Sequence, residues 1–303
     1  MNENMKWDVI GDVHGKLPAL TALLNRLGYE NLSGVWRHPG GRKAMFLGDL
    51  VDRGPDVSEV LELVKAMVDA GEARIVLGNH EYGLLAWYTK NADGNFRRKH
   101  QQRYLRYMGP SVALFDHFPD KHAVYLEWFQ QIPLSLEIGG ARFVHAYWDE
   151  EAVAALKPGV TLHDIGWSEP VFTGRKKEMA ELLTKGPELR LPEGLAVIDH
   201  QGNHHGQARI NWWKTDTAED LRALIKPDTP ALTGHPVPEE ARKYGPPAAH
   251  EPPVFFGHFG FHECPGLLGP NFTCVDFTGT HGTSIGAYRW DGEETLREDN
   301  LVT

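Results

Sequence analysis

Three short apolar runs, each followed directly by a glycine-containing polar motif, constrain the fold of this chain more than any other feature. The runs lie at residues 7–10, 44–47 and 75–77, and each has the length and apolar character of a buried strand. Amphipathic helical stretches separate them; the first is predicted to end at Gly28, and the second to begin with a capping box at Asp56. Strands that alternate with helices predict βαβ units and an α/β fold.

The motifs that follow these runs carry side chains of the kind that bind metal ions. They are GDVHG at residues 11–15, GDLVDRG at residues 48–54 and GNHE at residues 78–81. Because ligand sites in parallel sheets form outside the carboxyl ends of the strands, we expect these side chains to lie close together. Oxygen and imidazole ligands without a thiolate suit Mn, Fe, Zn or Mg. One such motif alone is more often a turn with a solvated carboxylate, whereas three in order predict a metal site.

Two later strands are predicted to end at a histidine. Residues 134–144 alternate in polarity around a pair of glycines, which predicts a hairpin that ends at His145. Residues 254–256 predict a strand that ends at His258. A histidine after an apolar strand is usually a hydrogen-bonded core residue. His145 and His258 therefore become ligand candidates only because the three earlier motifs are present.

Composition and charge exclude several classes of protein. The 303 residues are 41% hydrophobic and 24% charged, which is ordinary for a globular protein. The formal charge of -10 argues against stable nucleic-acid binding, which needs a basic face. No apolar run approaches the roughly 18 residues of a membrane span, so we expect a cytoplasmic protein without a membrane partner. Cys264 and Cys274 are too few for a disulfide framework and are expected to be reduced thiols.

The order and spacing of the three motifs resemble those of the calcineurin-like metallophosphoesterases, in the branch of the PPP-type serine/threonine phosphatases and the bacterial diadenosine-tetraphosphatases. The resemblance is close over residues 8–81. The elements FVHA at 143–146 and FGHF at 256–259 extend it, and residues 274–276 and 287–290 resemble the closing strands. It implies a two-sheet β-sandwich flanked by helices, the four-layer metallophosphoesterase fold, which is classed as α/β or α+β.

The resemblance also implies two divalent metal ions, with manganese expected and iron, zinc or magnesium as alternatives. The ligands that it places on this sequence are Asp12, His14, Asp49, Asn79, His145 and His258. Asp49 would bridge the ions, with Asp12 and His14 completing the first site and the other three residues the second. Two cations about 3.5–4 Å apart can deprotonate a water between them near neutral pH, and the resulting hydroxide attacks phosphorus.

Four further motif residues take roles by the same resemblance. His80 would be the general acid that protonates the leaving oxygen, and Asp52 would orient the imidazole and favour its charged form. Arg53 would hold the phosphoryl oxygens through its planar guanidinium fork. Glu81 would support the site from behind the ligands.

The sequence does not decide which phosphorylated compound is the substrate. A phosphomonoester, in a phosphoprotein or a small molecule, is the leading expectation, and a dinucleoside polyphosphate such as diadenosine tetraphosphate is the alternative. A metallonuclease or a non-catalytic interaction module with the same fold are further alternatives. The acidic charge disfavours the first, and the presence of every ligand disfavours the second. The sequence does not determine the oligomeric state.

Residues 148–250 match no specific pattern and are interpreted as an insertion or cap within a single metallophosphoesterase domain that spans residues 1–303. Eight of the 20 prolines lie between residues 227 and 253, which predicts an irregular connection. The tryptophans of this segment are interpreted either as platforms for nucleobases or as core residues; they are Trp148, Trp167, Trp212 and Trp213.

The remaining histidines and a basic run are weaker candidates. His200, His204 and His205 resemble a metal tract, but neighbours on a hairpin point to opposite faces, so a solvated strand is favoured. The basic run at residues 97–103 is interpreted as a solvated helix face, with contact to substrate phosphates as the alternative. The roles of His262 and His281 are left open.

Overall fold

The chain divides into two compact units. The computed structural model describes residues 6–198, 204–277 and 284–303. One unit comprises the chain up to Lys185 together with Pro252–Thr303, and the other is Gly186–Glu251. Residues 148–185, which the sequence assigned to an inserted segment, thus belong to the first unit. A single domain with an insertion remains a prediction.

The helices and strands of the described residues are numbered in chain order. The strands are β1 Trp7–Ile10, β2 Glu30–Leu32, β3 Val35–Arg37, β4 Lys43–Phe46, β5 Ala73–Ile75, β6 Ser135–Ile138, β7 Ala141–Val144, β8 Glu188–Arg190, β9 Val197–Ile198, β10 His204–His205, β11 Gln207–Ile210, β12 Ile225–Lys226, β13 Val254–Phe256, β14 Phe272–Cys274, β15 Ala287–Trp290 and β16 Leu301–Val302. The α-helices are α1 Leu17–Leu27, α2 Val57–Asp69, α3 Asn79–Tyr88, α4 Gln102–His117, α5 Pro119–Gln130, α6 Glu150–Leu156, α7 Arg175–Lys185 and α8 Leu221–Leu224.

Two sheets of the first unit pack face to face. Among the described residues, one sheet has the order β16-β15-β1-β4-β5 and the other the order β14-β13-β7-β6. Strands β1, β4 and β5 are parallel, and so are β7, β13 and β14. The core between the sheets joins apolar residues of both, among them Val9, Met45, Phe143, Phe255 and Tyr288. The predicted two-sheet sandwich flanked by helices is confirmed, and the parallel strands direct their carboxyl ends to one region.

The helix boundaries show which local signals act as predicted. Helix α1 ends at Leu27, and Gly28 takes the left-handed conformation at φ 93°, where its N–H donates to the last turn. Helix α2 begins after Asp56, but that side chain makes no capping hydrogen bond. The backbone of Asp56 has φ -99° and ψ 40°, away from the extended conformation of an N-cap, and its N–H donates to the carbonyl of Gly15. The capping box at Asp56 was therefore a wrong prediction.

The second unit has its own small core. Strand β11 pairs with β8 and β12, and β9 pairs with β10. Leu189, Ile210, Leu221 and Leu232 are among the buried residues that pack together beneath the three-stranded sheet. His200 and the turn of the predicted hairpin near it lie outside the described residues.

Candidate metal centre

The predicted ligands lie at the ends of five strands. Asp12 and His14 follow β1, Asp49 follows β4, and Asn79 opens α3 after β5. His145 follows β7 and His258 follows β13, so the second sheet contributes one histidine from each of two parallel strands. Apart from Asn79, which is partly exposed, these side chains are at most 8% exposed. The structure brings together all six residues that the sequence suggested as ligands.

The loops that carry the ligands are joined to one another by backbone hydrogen bonds. The N–H groups of Val13 and His14 both donate to the carbonyl of Asp49, at 3.0 and 2.8 Å. Two glycines allow the loops to approach this closely. A Cβ atom at Gly78 would lie 2.2 Å from Oδ1 of Asp49, and a Cβ atom at Gly257 would lie 2.3 Å from Oδ1 of Asp12. Only glycine fits at these two positions, because no real side chain tolerates contacts below 3.0 Å.

Positive φ angles concentrate at this site. Among the described residues, seven non-glycine residues have positive φ. Five of them are residues with a predicted role, namely His14, Asp49, Asp52, Arg53 and His258. Left-handed conformations of such residues are strained and persist where the surrounding structure enforces them, typically at functional sites. This concentration cannot be read from the sequence, because each motif has glycines beside these residues that would be expected to take those conformations instead.

Asp12, His14 and Asp49 form the first group of ligand atoms. Nδ1 of His14 lies 2.9 Å from the carbonyl oxygen of Val51 and donates to it, which leaves the lone pair on Nε2. Nε2 of His14 lies 3.7 Å from Oδ2 of Asp12 and 3.7 Å from Oδ2 of Asp49. Within the described part of the chain, this buried Nε2 has no hydrogen-bond partner. A lone pair aimed between two buried carboxylates fits a cation.

Asn79, His145 and His258 form the second group with the same aspartate. Oδ1 of Asn79 lies 3.0 Å from Nε2 of His145 and 2.5 Å from Nδ1 of His258. Nε2 of His145 also lies 3.4 Å from Oδ1 of Asp49, while Nδ1 of His145 donates to the carbonyl of Leu47 at 2.5 Å. The two carboxylate oxygens of Asp49 thus face the two groups, Oδ2 the first and Oδ1 the second.

The protonation states fit a bound cation as well. Burial, together with the charges of Asp276 and Asp49, raises the pKa of Asp12 well above its usual range. Burial would also raise the pKa of Asp49, but His145, whose own pKa is raised by Asp49, holds it well below its usual value. Burial and the charge of Arg53 lower the pKa of His14, which keeps its imidazole neutral. Buried carboxylates need a positive partner, and the neutral imidazole of His14 offers a lone pair, so this donor set fits a divalent metal ion.

His80 and Asp52 form a buried pair beside these groups. Nδ1 of His80 lies 2.6 Å from Oδ2 of Asp52, and Nε2 lies 3.7 Å from Oδ2 of Asp49. His14, Asp49 and His80 also form a group of possible ligand atoms, so the geometry admits His80 as a ligand besides its expected role. The ring of His80 contacts the rings of His14 and Tyr107 edge-on, with centroids 4.6 and 5.3 Å apart.

The charge state expected for His80 is wrong for the protein without metal. Burial lowers the pKa of His80 to about 3, and the charges of Arg53 and Arg98 act in the same direction. Burial raises the pKa of Asp52 to about 8. The pair therefore keeps one proton at neutral pH, and that proton belongs to the hydrogen bond between the two residues rather than to a charged imidazole. Desolvation is the largest influence on the pKa of both groups, and the sequence could not indicate it.

Glu81 lies behind the ligands, as expected. One carboxylate oxygen accepts the backbone N–H of Asp49 at 2.8 Å, and the other accepts those of Leu50 and Val51 at 2.7 and 3.2 Å. Burial raises the pKa of Glu81 to about 7. The side chain holds the loop that places Asp49.

Arg53 is exposed at the rim of the site, and further residues that the sequence did not single out lie nearby. Burial lowers the pKa of His14 and of Lys16, and the positive charge of Arg53 acts in the same direction, so both residues lie within its electrostatic reach. Lys16 is partly buried next to the first motif. Asp276 is buried, accepts the N–H of Gly260 at 2.6 Å and raises the pKa of Asp12. Asp276 follows the carboxyl end of β14, and this position after a parallel strand is the sequence signal that could have identified it as a residue of the site.

Several other sequence candidates lie away from the ligands or in the core. Trp148, Trp167 and Trp212 are 7%, 1% and 1% exposed, so they are core residues and not platforms for nucleobases, while Trp213 is partly exposed. His204 and His205 form β10, and His262 is exposed. His281 lies outside the described residues. Both cysteines are free thiols, as expected, with Cys264 exposed and Cys274 buried.

Most of the basic run at residues 97–103 precedes the helix, contrary to the sequence interpretation, whereas Arg103 is exposed on α4 as predicted. Helix α4 begins at Gln102, and the residues before it form a bridge and a loop. Arg97 donates to the carbonyls of Trp167 and Glu169, both at 2.6 Å. The guanidinium of Arg98 donates to the hydroxyl of Tyr107 at 2.9 Å. The contacts that fix these arginines are distant in sequence, which explains why local patterning failed.

A two-sheet sandwich with buried histidine and carboxylate clusters at the strand ends defines a metal-dependent phosphoesterase fold. The family model of the calcineurin-like phosphoesterases matches residues 5–258. The chain therefore belongs to the calcineurin-like phosphoesterase family, as its motifs indicated. The described residues contain two histidine and aspartate groups, joined by Asp49, that are able to hold metal ions. No helix within the described residues is both long and apolar enough to cross a membrane.

Curated relatives carry one recurrent name. The asymmetrical bis(5'-nucleosyl)-tetraphosphatase PrpE of Halalkalibacterium halodurans is 50% identical over 76 residues, which are 25% of this chain and 31% of that protein. The protein of the same name from Oceanobacillus iheyensis is 33% identical over 143 residues, which are 47% of this chain and 56% of that protein. The chain thus spans about a third to just over half of the length of these relatives.

Solved structures support the fold. The cold-active protein-tyrosine phosphatase of a psychrophilic Shewanella species is 18% identical, with a TM-score of 0.52, and the match covers 98% of this chain and 83% of that chain. At this identity the likeness shows the fold alone.

Proposed function

We propose that the chain hydrolyses a phosphoanhydride bond of dinucleoside polyphosphates. The observation that carries the catalytic part is the convergence of two groups of ligand atoms on the opposite carboxylate oxygens of Asp49. The name shared by the curated relatives supports the substrate class. It favours the alternative substrate over the phosphomonoester that the sequence placed first.

Six residues would hold two divalent ions, with manganese the expected metal. Asp12, His14 and Asp49 would hold the first ion, and Asp49, Asn79, His145 and His258 the second. The bound ions would supply Lewis acidity and a water deprotonated near neutral pH. Oxygen and imidazole donors also admit iron, zinc or magnesium.

The protein's own groups would orient the phosphate and supply the proton. Arg53 is exposed at the rim, and its fork fits the oxygens of the phosphoryl group. Nδ1 of His80 shares a hydrogen with the carboxyl group of Asp52, which orients the imidazole so that Nε2 can carry a proton. Nε2 would give this proton to the leaving oxygen while Nδ1 takes the hydrogen shared with Asp52. The pair then loses one proton in total.

The other candidate functions have less support. A phosphomonoesterase would use the same residues, so this site geometry does not separate it from the proposed function. A metallonuclease is disfavoured because the chain has a formal charge of -10, and nucleic-acid binding needs a basic face. A non-catalytic module is disfavoured because every ligand is present and His80 and Asp52 remain paired.

A substrate panel in water enriched with oxygen-18 tests the proposal. Diadenosine tetraphosphate, an aryl phosphate, a phosphopeptide and a cyclic nucleotide would each be assayed with Mn, Zn, Fe and Mg. We expect the highest kcat/KM on diadenosine tetraphosphate, with AMP and ATP rather than two ADP molecules as products. The heavy oxygen in one product identifies the phosphorus attacked. A higher kcat/KM on the phosphopeptide would overturn the substrate, and turnover without any divalent metal would overturn the mechanism.

A further inference from the structure

Arg98 is a partly buried cation close to the proposed general acid. Its guanidinium donates to the hydroxyl of Tyr107 at 2.9 Å and contacts the sulfur of Met108 at 3.3 Å. The ring of Tyr107 lies edge-on to His80, with centroids 5.3 Å apart. The backbone N–H of Arg98 donates to the carbonyl of Ala86 at 2.8 Å, which fixes the segment to α3. Arg98 thus reaches the neighbourhood of His80 from a rigid attachment.

The sequence of α3 leaves room for this guanidinium. Gly83 follows His80 by three residues, so the two lie on the same face of the helix. A Cβ atom at Gly83 would lie 2.9, 3.0 and 3.1 Å from Nη1, Cζ and Nη2 of Arg98. The flat guanidinium therefore packs directly on the bare helix backbone. Glycine inside a helix costs about 1 kcal/mol relative to alanine, so its presence here calls for a packing reason.

Arg98 makes no ion pair with an acidic side chain in the part of the chain that the structure describes. Among the described residues, no carboxylate lies within 4.0 Å of its nitrogens, although the buried Arg42 has acidic partners at that distance. Its charge reaches the catalytic pair, because it lowers the pKa of both His80 and Asp52. A partly buried cation without an acidic partner, beside a site for an anionic substrate, is placed to receive an anion.

We propose that Arg98 binds the phosphate on the leaving-group side of the scissile bond and so selects substrates that carry further phosphates there. The inference rests on the proposed function, since His80 marks the leaving-group side as the proposed donor of the proton. Arg53 would hold the phosphoryl group under attack, and Arg98 the phosphates that depart. A polyphosphate chain needs both cations, whereas a phosphomonoester of a neutral alcohol or phenol needs only the first. Arg98 is therefore a specificity-determining residue.

Steady-state kinetics of Arg98→Gln on three substrates give the first test. Diadenosine tetraphosphate has a phosphate leaving group, an aryl phosphate has a good leaving group without phosphate, and an alkyl phosphate has a poor one without phosphate. We expect kcat/KM to fall about 10- to 100-fold on diadenosine tetraphosphate, mostly through KM, and less than about 3-fold on the other two. Lys99→Gln removes the same charge from the exposed neighbour and serves as the matched control.

Each pattern of loss has one meaning. A larger loss on the alkyl phosphate would mean that Arg98 acts through His80 and would overturn the inference. Equal losses on all three substrates would mean that Arg98 only supports the fold, and this outcome would also overturn the inference. A loss in Lys99→Gln equal to that in Arg98→Gln would show a general charge effect and would also overturn it.

Equilibrium binding gives a test that does not depend on turnover. Isothermal titration of the manganese-loaded protein with inorganic tripolyphosphate and with orthophosphate compares an anion that reaches Arg98 with one that does not. We expect Arg98→Gln to weaken the binding of tripolyphosphate about 10-fold or more, and the binding of orthophosphate much less. Gly83→Ala should act in the same direction, because the added methyl group displaces the flexible guanidinium without disturbing the helix. Unchanged tripolyphosphate affinity in Arg98→Gln would overturn the inference.

This arrangement separates the two proposals. If the wild-type protein does not hydrolyse diadenosine tetraphosphate, the proposed function fails, and the comparison of tripolyphosphate with orthophosphate still decides whether Arg98 binds a leaving-side phosphate. If the wild-type protein hydrolyses it and Arg98→Gln keeps its wild-type KM, the inference about Arg98 fails and the proposed function stands.

Discussion

The carboxylate of Glu81 accepts the backbone N–H of Asp49 at 2.8 Å, and this bond fixes the residue that faces both groups of ligand atoms. Asp49 has a φ of 52°, an uncommon conformation for aspartate that the surrounding structure must enforce. Since Glu81 also accepts the N–H groups of Leu50 and Val51, one buried side chain determines the path of the whole loop. Substituting Glu81 should therefore affect metal binding although it is not a proposed ligand.

We predict that Glu81→Gln weakens manganese binding at least about 10-fold and lowers the free energy of unfolding by about 2–3 kcal/mol. The amide group of glutamine would turn a donor towards backbone N–H groups that now have an acceptor. Metal titration and urea unfolding measure the two effects. Glu59→Gln, at an exposed position of α2, should change neither. Wild-type metal affinity in Glu81→Gln would refute this role.

We predict that Asp49→Asn and His14→Asn remove metal and activity together. Asp49 faces both groups and His14 only the first, so the former should lose both equivalents of metal and the latter chiefly one. Metal content after dialysis, measured by elemental analysis, gives the stoichiometry. Asp69→Asn removes an exposed carboxylate that pairs with Lys65 and is the control. Full turnover of the wild-type protein after chelation and dialysis is incompatible with this prediction.

The sequence predicted strands such as β1 and β13 because their signals are local, and the motifs beside the strands named the candidate ligands. Strand β1 occupies residues 7–10 and β13 residues 254–256, as predicted, and each run is fully buried between its neighbours. The ligands follow from the rule that parallel strands direct their carboxyl ends to one edge. His145 and His258 come together because β7 and β13 are adjacent and parallel, which hydrophobic patterning alone does not specify.

The parts that were not predicted depend on contacts between distant residues. The place of Arg98 is set by Gly83 and Tyr107, and neither carries a motif. The low pKa of His80 follows from burial, which outweighs the neighbouring Asp49 that would raise it. The strain at Asp49 and His258 arises because several loops share one small volume. Such properties come from tertiary packing and desolvation, and local sequence signals do not encode them.

We predict that the metal-free protein becomes less stable as the pH rises from 6.5 to about 8. The pKa of Asp52 is raised to about 8, so the folded protein holds this proton more tightly than the unfolded chain, and its contribution is lost as the pH approaches 8. Glu81, with a pKa raised to about 7, acts with the same sign. The lowered pKa of His80 acts with the opposite sign, but only below the ordinary histidine value of 6.5. Above pH 6.5 the carboxyl groups with raised pKa values therefore determine the direction in which stability changes with pH.

Urea unfolding at pH 6.5 and pH 8 in the presence of a chelator measures the effect. We expect a loss of about 1–2 kcal/mol from Asp52, since one proton contributes at most about 1.4 kcal/mol per pH unit. Asp52→Asn cannot titrate and should show a smaller loss over the same range. Asp116→Asn removes a carboxyl group outside the site, bonded to Tyr88, and should keep the wild-type slope. A wild-type protein that gains stability over this range would contradict the raised pKa.

We predict that His80→Asn slows alkyl phosphates about 100-fold or more and aryl phosphates much less, because only poor leaving groups need a proton in the transition state. Diadenosine tetraphosphate should be slowed by an intermediate amount in this variant, because its phosphate leaving group is better than an alkoxide but still takes the proton of His80. Asp52→Asn should show the same order of effects, since Asp52 supplies the proton that replaces the one given up by His80. His117→Asn, at the end of α4, is the control. Equal losses on all three substrates would assign His80 to metal binding, a role that its 3.7 Å approach to Asp49 also permits.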